Sequence, residues 1–149
     1  MLAFLAMPVV LVLTTLAAAQ TISFPTEDGG RVCADLYGQG THGVVLAHGG
    51  RFNKESWREQ AQILDAKGFR VLAIDFRGFG CSSGPGQANF DSAPFENDVI
   101  AAVHYLKAHG TKSVSACNTK ELLNRRNSSF SMALRTLSFC FKRTRILGS

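Results

Sequence analysis

Serine, carboxylate and histidine side chains occur in this chain in an order that could support nucleophilic attack on a carbonyl. Residues 80–84 read Gly-Cys-Ser-Ser-Gly and match the G-x-S-x-G pattern, with Ser82 in the position of the nucleophile. In a catalytic triad, an acid orients a histidine and the histidine takes the proton of the serine. Candidate acids and bases follow Ser82 in that order, at Asp91 or Asp98 and then at His104 or His109.

The surroundings of Ser82 predict that this match is coincidental. A nucleophile elbow is a sharp turn from a strand into a helix, and this turn lifts the serine oxygen above the sheet. Ser82 is followed by Gly84-Pro85-Gly86, which cannot begin a helix, and the preceding strand is expected to end near Asp75. We therefore expect that Ser82 is not a nucleophile.

The secondary structure around these residues is predicted from apolar runs and their spacing. A continuous apolar run, typical of a strand buried on both faces, occurs at 44–47, a second buried strand is predicted at 69–74, and a third strand is predicted to begin at 113–116. Shorter runs at 21–24 and 31–37, separated by a turn, predict an antiparallel hairpin.

Two helices are predicted between these strands. Apolar residues at helical spacing indicate one helix over 53–67, ended by Gly68. A second helix is predicted over 92–109, with Ser92 as its N-cap and Gly110 as its end.

Short loops between alternating strands and helices indicate parallel strands joined by right-handed crossovers. The helices lie on opposite faces only if strand 113–116 returns to the far side of strand 44–47. That arrangement makes a switch point between these two strands, and ligands bind at the carboxyl ends of strands beside such a point. The predicted fold class is α/β, with an incomplete, doubly wound, mostly parallel sheet and an N-terminal hairpin.

Two loop motifs carry a family resemblance. The loop His48-Gly49-Gly50 follows one buried strand, and Asp75-Phe76-Arg77-Gly78-Phe79-Gly80-Cys81-Ser82 follows the next. In this order they resemble the α/β-hydrolase family, nearest to its lipase, esterase and serine-peptidase-like branches. The resemblance covers about residues 21–116, the front half of a hydrolase core, and implies a serine hydrolase that acts on a small ester or amide.

The resemblance also implies roles for individual residues. The backbone N–H of Gly50 is the candidate oxyanion donor, because such a donor must be fixed where negative charge develops and glycine lets the backbone approach the substrate. His48, Gly49, Asp75 and Arg77 are expected to support the loops. The alternative is that the glycines only shape a turn, which we prefer for Gly49 and leave open for Gly50. No metal and no cofactor are expected.

The nucleophile should follow strand 113–116, but the sequence there lacks the small residues that a strained elbow needs. Residues 117–123 contain no glycine, and no Asp or His occurs after His109. Cys117 could supply a thiol, yet it has neither flanking glycines nor an identifiable base. We therefore expect a truncated, hydrolase-like protein with no catalytic residues and negligible activity.

The composition changes near residue 116. Residues 1–116 hold nine Lys or Arg against ten Asp or Glu, whereas residues 117–149 hold seven Lys or Arg against one Glu. We predict a partial hydrolase domain at 20–116 and a divergent basic tail at 117–149, which is foreign or frameshifted sequence. The alternative is a non-catalytic binding module whose tail contacts anionic membrane or nucleic acid. Self-association through an exposed edge of the sheet is a further expectation.

The N-terminus is predicted to direct export. Residues 2–19 are almost wholly apolar and end in Ala17-Ala18-Ala19, which indicates a signal peptide over 1–19 and a secreted or periplasmic protein. The alternative is a membrane anchor that is not cleaved. The four cysteines are irregularly spaced and are expected to be small, mostly buried side chains rather than an assignable disulfide framework.

Overall fold

The computed structural model describes residues 18–118, which form one mixed sheet with two helices. Among these residues no helix is long and apolar enough to cross a membrane. The predicted signal peptide lies almost wholly outside the described residues, and so does nearly all of the predicted basic tail, so both stay predictions. The strands are β1 Gln20–Pro25, β2 Arg31–Tyr37, β3 His42–Ala47, β4 Arg70–Ile74 and β5 Ser113–Asn118.

The sheet has the strand order β1-β2-β4-β3-β5. β1 and β2 form the predicted antiparallel hairpin, and β2 also pairs antiparallel with β4. β3 lies between β4 and β5 and is parallel to both. The predicted switch point between β3 and β5 is therefore present, and the α/β fold class is confirmed.

The first helix differs from its prediction. Residues Lys54–Trp57 form a 3₁₀ turn, and the α-helix α1 covers only Arg58–Asp65. The reason lies in tertiary contacts of Lys54. Its backbone N–H donates to the carboxylate of Asp75, and its ammonium lies 3.5 Å from the carboxylate of Asp35. These contacts fix the start of the segment before a regular α-turn can form. Gly68, with φ +82°, ends the segment as expected.

The second helix, α2, covers Phe95–Ala108. The predicted cap at Ser92 is wrong, because Ser92 belongs to a turn in which its N–H donates to the carbonyl of Asn89. Pro94 precedes the helix without a side-chain cap. The loop that leads into α2 is therefore longer than the sequence suggested.

The two helices cover opposite faces of the sheet, because neighbouring strand residues point to opposite sides. Val45 and Ala47 of β3 pack with Ala102 and Leu106 of α2. Val44 and Leu46 pack with the other helix, on the side of Ala61 and Leu64. The sheet is thus buried on both faces, as its continuous apolar runs predict.

The cysteines correct a sequence expectation. Cys33 of β2 forms a disulfide with Cys81 in the loop after β4, with their Cα atoms 5.7 Å apart. Cys117 is also disulfide-bonded, so no cysteine among residues 18–118 is a free thiol. Cys33 and Cys117 are buried as expected, but Cys33 is paired with the exposed Cys81, and this pairing joins positions 48 residues apart that only the sheet brings together.

Candidate active site

The two motif loops lie side by side at the carboxyl ends of β3 and β4. Ala47, the last residue of β3, is opposite both Ile74 of β4 and Asn118 of β5. His48 and Asp75 follow directly, so the first loop (residues 48–53) and the second loop (residues 75–84) leave the sheet together. Ligands bind at this edge in open α/β sheets.

Two hydrogen bonds, each from a backbone N–H to a side chain, fasten the second loop to the first loop and to Lys54, which follows the first loop directly. His48, from the first loop, accepts the N–H of Phe76 at Nε2 over 3.1 Å. Asp75, from the second loop, accepts the N–H of Lys54 at Oδ1 over 2.7 Å. Both acceptors are about 1% exposed. Buried donors and acceptors that are satisfied in this way fix the relative position of the loops.

The hydrogen bonds of His48 also define its tautomer. Because Nε2 accepts a hydrogen bond, the ring proton is on Nδ1, which lies 2.9 Å from the carbonyl oxygen of Gly49 and donates to it. Nε2 of His48 and Oδ1 of Asp75 lie 3.7 Å apart, but they do not form an ion pair because Nε2 carries no proton in this tautomer. Burial raises the pKa of Asp75, and the hydrogen bond from the Lys54 N–H opposes that rise.

The peptide between Gly49 and Gly50 is oriented by its carbonyl. The Gly49 oxygen accepts from the His48 ring and from the N–H of Phe52, each over 2.9 Å. None of the described peptides is cis, so the N–H of Gly50 points away from that carbonyl. This N–H donates to no group among residues 18–118, and Gly50 is exposed. An exposed N–H without a protein acceptor is available to a ligand, and the role of Gly50 as an oxyanion donor stays a prediction.

Arg77 ties three parts of the chain together. Its guanidinium is fully buried and lies 2.8 Å from Asp98 of α2 and 2.6 Å from Asp28 of the β1–β2 turn. The backbone N–H of Arg77 also donates to Asp98. The Arg77 guanidinium, which donates to Asp28, holds the pKa of that carboxyl well below its usual range. Asp98 is thus a structural partner and not a triad acid.

Ser82 is a structural residue in the second loop. Its hydroxyl accepts the N–H of Cys33 and donates to the carbonyl of Asp75, both over 2.8 Å, and the residue is 5% exposed. Ser82 does not have the geometry of a nucleophile elbow. It lies in a turn in which its own backbone N–H donates to the carbonyl of Phe79. The hydroxyl neither faces solvent nor has a histidine beside it.

The remaining candidate side chains do not converge on the site. His104 lies 3.6 Å from Glu27 on the surface, and the ring of His109 is hydrogen-bonded to the carbonyl of Tyr105. His42 is paired with the hydroxyl of Ser113 at the start of β5. Within residues 18–118 no three His, Cys, Asp or Glu side chains are grouped as metal ligands.

Sequence reasoning missed two residues at the site. Lys54 is nearly buried, with its ammonium between Asp35 and Glu55, although an isolated lysine at a helix start gives no such signal. Phe90 is half exposed and its ring lies over Gly50, where an added Cβ would be 2.5 Å from Cζ. Glycine at position 50 indicates in the sequence that another group approaches the backbone closely, but it does not indicate that this group is Phe90.

A family model for the alpha/beta hydrolase fold matches residues 44–114. A Synechocystis protein named as a non-heme chloroperoxidase is 41% identical over 59 residues, which are 40% of this chain and 19% of that protein. Bifunctional epoxide hydrolase 2 of Rattus norvegicus is 50% identical over 42 residues, which are 28% of this chain and 8% of the relative. The chain thus spans a fifth or less of the length of these relatives.

Solved structures agree with this fold. An epoxide hydrolase from an endophytic Streptomyces is 32% identical with a TM-score of 0.57, over 67% of this chain and 29% of that one. An esterase of Pyrococcus furiosus is 22% identical with a TM-score of 0.60. The match covers 68% of this chain and 42% of the esterase chain, and at this identity it supports the fold alone. Residues 44–114 thus match the α/β-hydrolase family model, and the solved structures share its fold, which confirms the resemblance.

Proposed function

We propose that this chain carries the oxyanion-binding half of an exported serine hydrolase for ester or amide bonds, and that it does not turn over substrate by itself. The observation that carries the proposal is the orientation of the Gly50 N–H. The Gly49 carbonyl has two donors that hold this peptide, and the Gly50 N–H on its opposite side donates to no group among residues 18–118. A fixed donor of this kind stabilises the oxygen of a carbonyl under attack.

The absence of turnover is supported by residues that are present. Ser82, the serine of the G-x-S-x-G match, is buried and uses its hydroxyl as both donor and acceptor. Cys117 is in a disulfide and is not a thiolate. After β5 the sequence has no glycine up to Leu123 and no Asp or His up to Ser149. The chain therefore has an oxyanion donor without a nucleophile.

The test is an assay of the purified chain with p-nitrophenyl acetate, followed by labelling with a fluorophosphonate. We expect a rate no higher than that of a protein-free blank and no labelled serine. Ser82→Ala is the matched variant and should change neither result. Turnover that Ser82→Ala abolishes, or a label mapped to Ser82, would show that the hydroxyl becomes exposed and acts as a nucleophile.

An epoxide is the second candidate substrate, because relatives with 32% to 50% identity over the matched part are named epoxide hydrolases. Opening an epoxide also leaves an oxygen that needs a hydrogen-bond donor or acid. Because the chain is not expected to turn over substrate, binding separates the candidates: styrene oxide and p-nitrophenyl acetate are each titrated against the ¹⁵N-labelled chain, with the amide signal of Gly50 as readout. A shift of that signal with the epoxide alone would contradict the choice of an ester or amide.

Export is supported by the disulfide between Cys33 and Cys81, since disulfides persist mainly in oxidising compartments. The test is mass spectrometry of the N-terminus after expression of the whole chain in a secreting host. Cleavage after Ala19 should leave Gln20 as the first residue. The double variant Ala17→Arg, Ala19→Arg should block cleavage. Protein that keeps Met1 in the wild type would favour the uncleaved membrane anchor.

A further inference from the structure

Five aromatic side chains form a closed circuit beside the first loop. Each ring contacts the next at a centroid distance between 4.8 and 6.2 Å, mostly edge to face or tilted. These geometries are favourable for aromatic pairs. The members, in order around the circuit, are His48, Phe76, Phe95, Phe90 and Phe79. The circuit thus joins the two loops, the start of α2 and Phe90.

Phe90 is the exposed member of this circuit, and it lies directly over Gly50. Its side chain is 51% exposed. Three atoms at the outer end of its ring would lie within 3.2 Å of a Cβ on Gly50, so the ring fills the place that a side chain would take. A ligand with a large group behind the oxygen that reaches the Gly50 N–H therefore meets the ring of Phe90, whereas a small ligand can reach the exposed glycine without moving that ring.

The segment that carries Phe90 is held mainly by local contacts. The N–H groups of Gln87, Asn89 and Ser92 each donate to a carbonyl three residues earlier. The anchors lie at its start, where Pro85 accepts from Arg77 and Ser83 pairs with Arg31. Among the described residues, the segment approaches the site through the ring of Phe90 and through Gln87, which lies beside Gly78 of the second loop. Moving the ring breaks few hydrogen bonds.

We propose that Phe90 is a movable occupant of a ring site beside the Gly50 amide and that the site takes carbonyl compounds with an aryl group. The ring of the ligand replaces that of Phe90 against Phe79 and Phe95, and the ligand oxygen accepts the Gly50 N–H. Phe90 occupies the ring position when no ligand is bound. This inference rests on the proposed function, because it assigns a substrate class to the same donor.

The two aromatic rings that contact Phe90 explain the preference for an aryl group. Phe79 and Phe95 present ring edges and faces to the position of Phe90, at centroid distances of 6.2 and 5.0 Å. A flat ring recovers these contacts when it replaces another flat ring, whereas a methyl group recovers little of them. Benzoate and acetate are matched probes, since both present a carboxylate oxygen to the amide and differ in the group behind it.

The experiment is a titration of the ¹⁵N-labelled full chain with benzoate or acetate, with the amide signal of Gly50 as readout. Phe90→Ala removes the competing ring and should tighten benzoate binding about fivefold, the scale of one aromatic pair. Acetate affinity should change less than about twofold, because it does not use the vacated space. Ile100→Ala is the control, since Ile100 of α2 is also about half exposed, at 45%, but is outside the circuit and the two loops. It should leave both affinities unchanged.

The outcomes separate the two proposals. If acetate shifts the Gly50 signal but Phe90→Ala gains nothing for benzoate, the aryl assignment is overturned and the oxyanion donor stands. If neither probe shifts that signal in any variant, the oxyanion donor itself is wrong and this inference fails with it. Thermal melting checks that the variants fold. Should Phe90→Ala melt early, Phe90→Leu replaces it, with a smaller gain expected for benzoate.

Discussion

The first and second loops leave the same edge of the sheet and were equally suggestive as sequence motifs, yet they use their polar groups differently. In the second loop, the Ser82 hydroxyl and the Arg77 guanidinium are buried and fully paired. In the first loop, the Gly49 carbonyl is paired, but the Gly50 N–H on the opposite side of that peptide donates to no group among residues 18–118. The comparison teaches that a site is marked by a polar group that the fold orients without satisfying, rather than by a serine within a motif.

The strongest way to break the second loop is Arg77→Met. It leaves the fully buried carboxylate of Asp98 without its cation, and breaking a buried ion pair costs about 3–5 kcal/mol. Urea unfolding measures the loss. The double variant Arg77→Met, Asp98→Leu should recover much of this stability because no buried charge remains. An Arg77→Met variant as stable as the wild type would contradict the role of Arg77 in tying these parts of the chain together.

The matching change in the first loop is His48→Leu. The side chain is close in size, but the buried N–H of Phe76 loses its acceptor, which costs about 2 kcal/mol. The Gly49 carbonyl also loses one of its two donors, so the peptide is less fixed. We expect a broadened Gly50 amide signal in ¹⁵N spectra together with the lower stability. A sharp, unshifted signal would mean that the N–H of Phe52 orients the peptide alone.

Ser82→Ala tests the structural role of the serine and should have a smaller effect. The buried N–H of Cys33 loses its acceptor, so unfolding should require about 1–2 kcal/mol less. Ser83→Ala is the matched control, because Ser83 is exposed and pairs with Arg31 through its backbone. Its effect should be within about 0.5 kcal/mol. Equal losses of stability for the two variants would contradict the structural role of the Ser82 hydroxyl.

The smallest effect concerns acid stability. The pKa of Asp28 is lowered in the folded protein by its hydrogen bond with Arg77, so its contribution is present above the unfolded value, about 3.9, and is lost as pH falls below it. Urea unfolding between pH 7 and pH 2.5 should show stability falling below about pH 4. Asp28→Asn should flatten this fall. An unchanged slope would show that Asp28 and Arg77 are not coupled in solution.

Much of the fold was predictable because burial on both faces leaves a local pattern. The apolar residues of β3 and β4 and the end of α2 at Gly110 placed the three parallel strands, and their order followed from the handedness of crossovers. The helix starts were less predictable. The first turn before α1 is set by Asp75 and Asp35, which lie far away in sequence.

The amino-acid sequence by itself determined the sheet, the two motif loops and the poor setting of Ser82 for an elbow, because these depend on periodicity and on glycine and proline at fixed positions. Only the tertiary structure decided how the loops are joined, that Cys33 pairs with Cys81, and that Phe90 lies over Gly50. The physical reason is that a hydrogen bond, a disulfide or a ring contact depends on distance in space. Segments far apart in sequence carry no local sign of that distance.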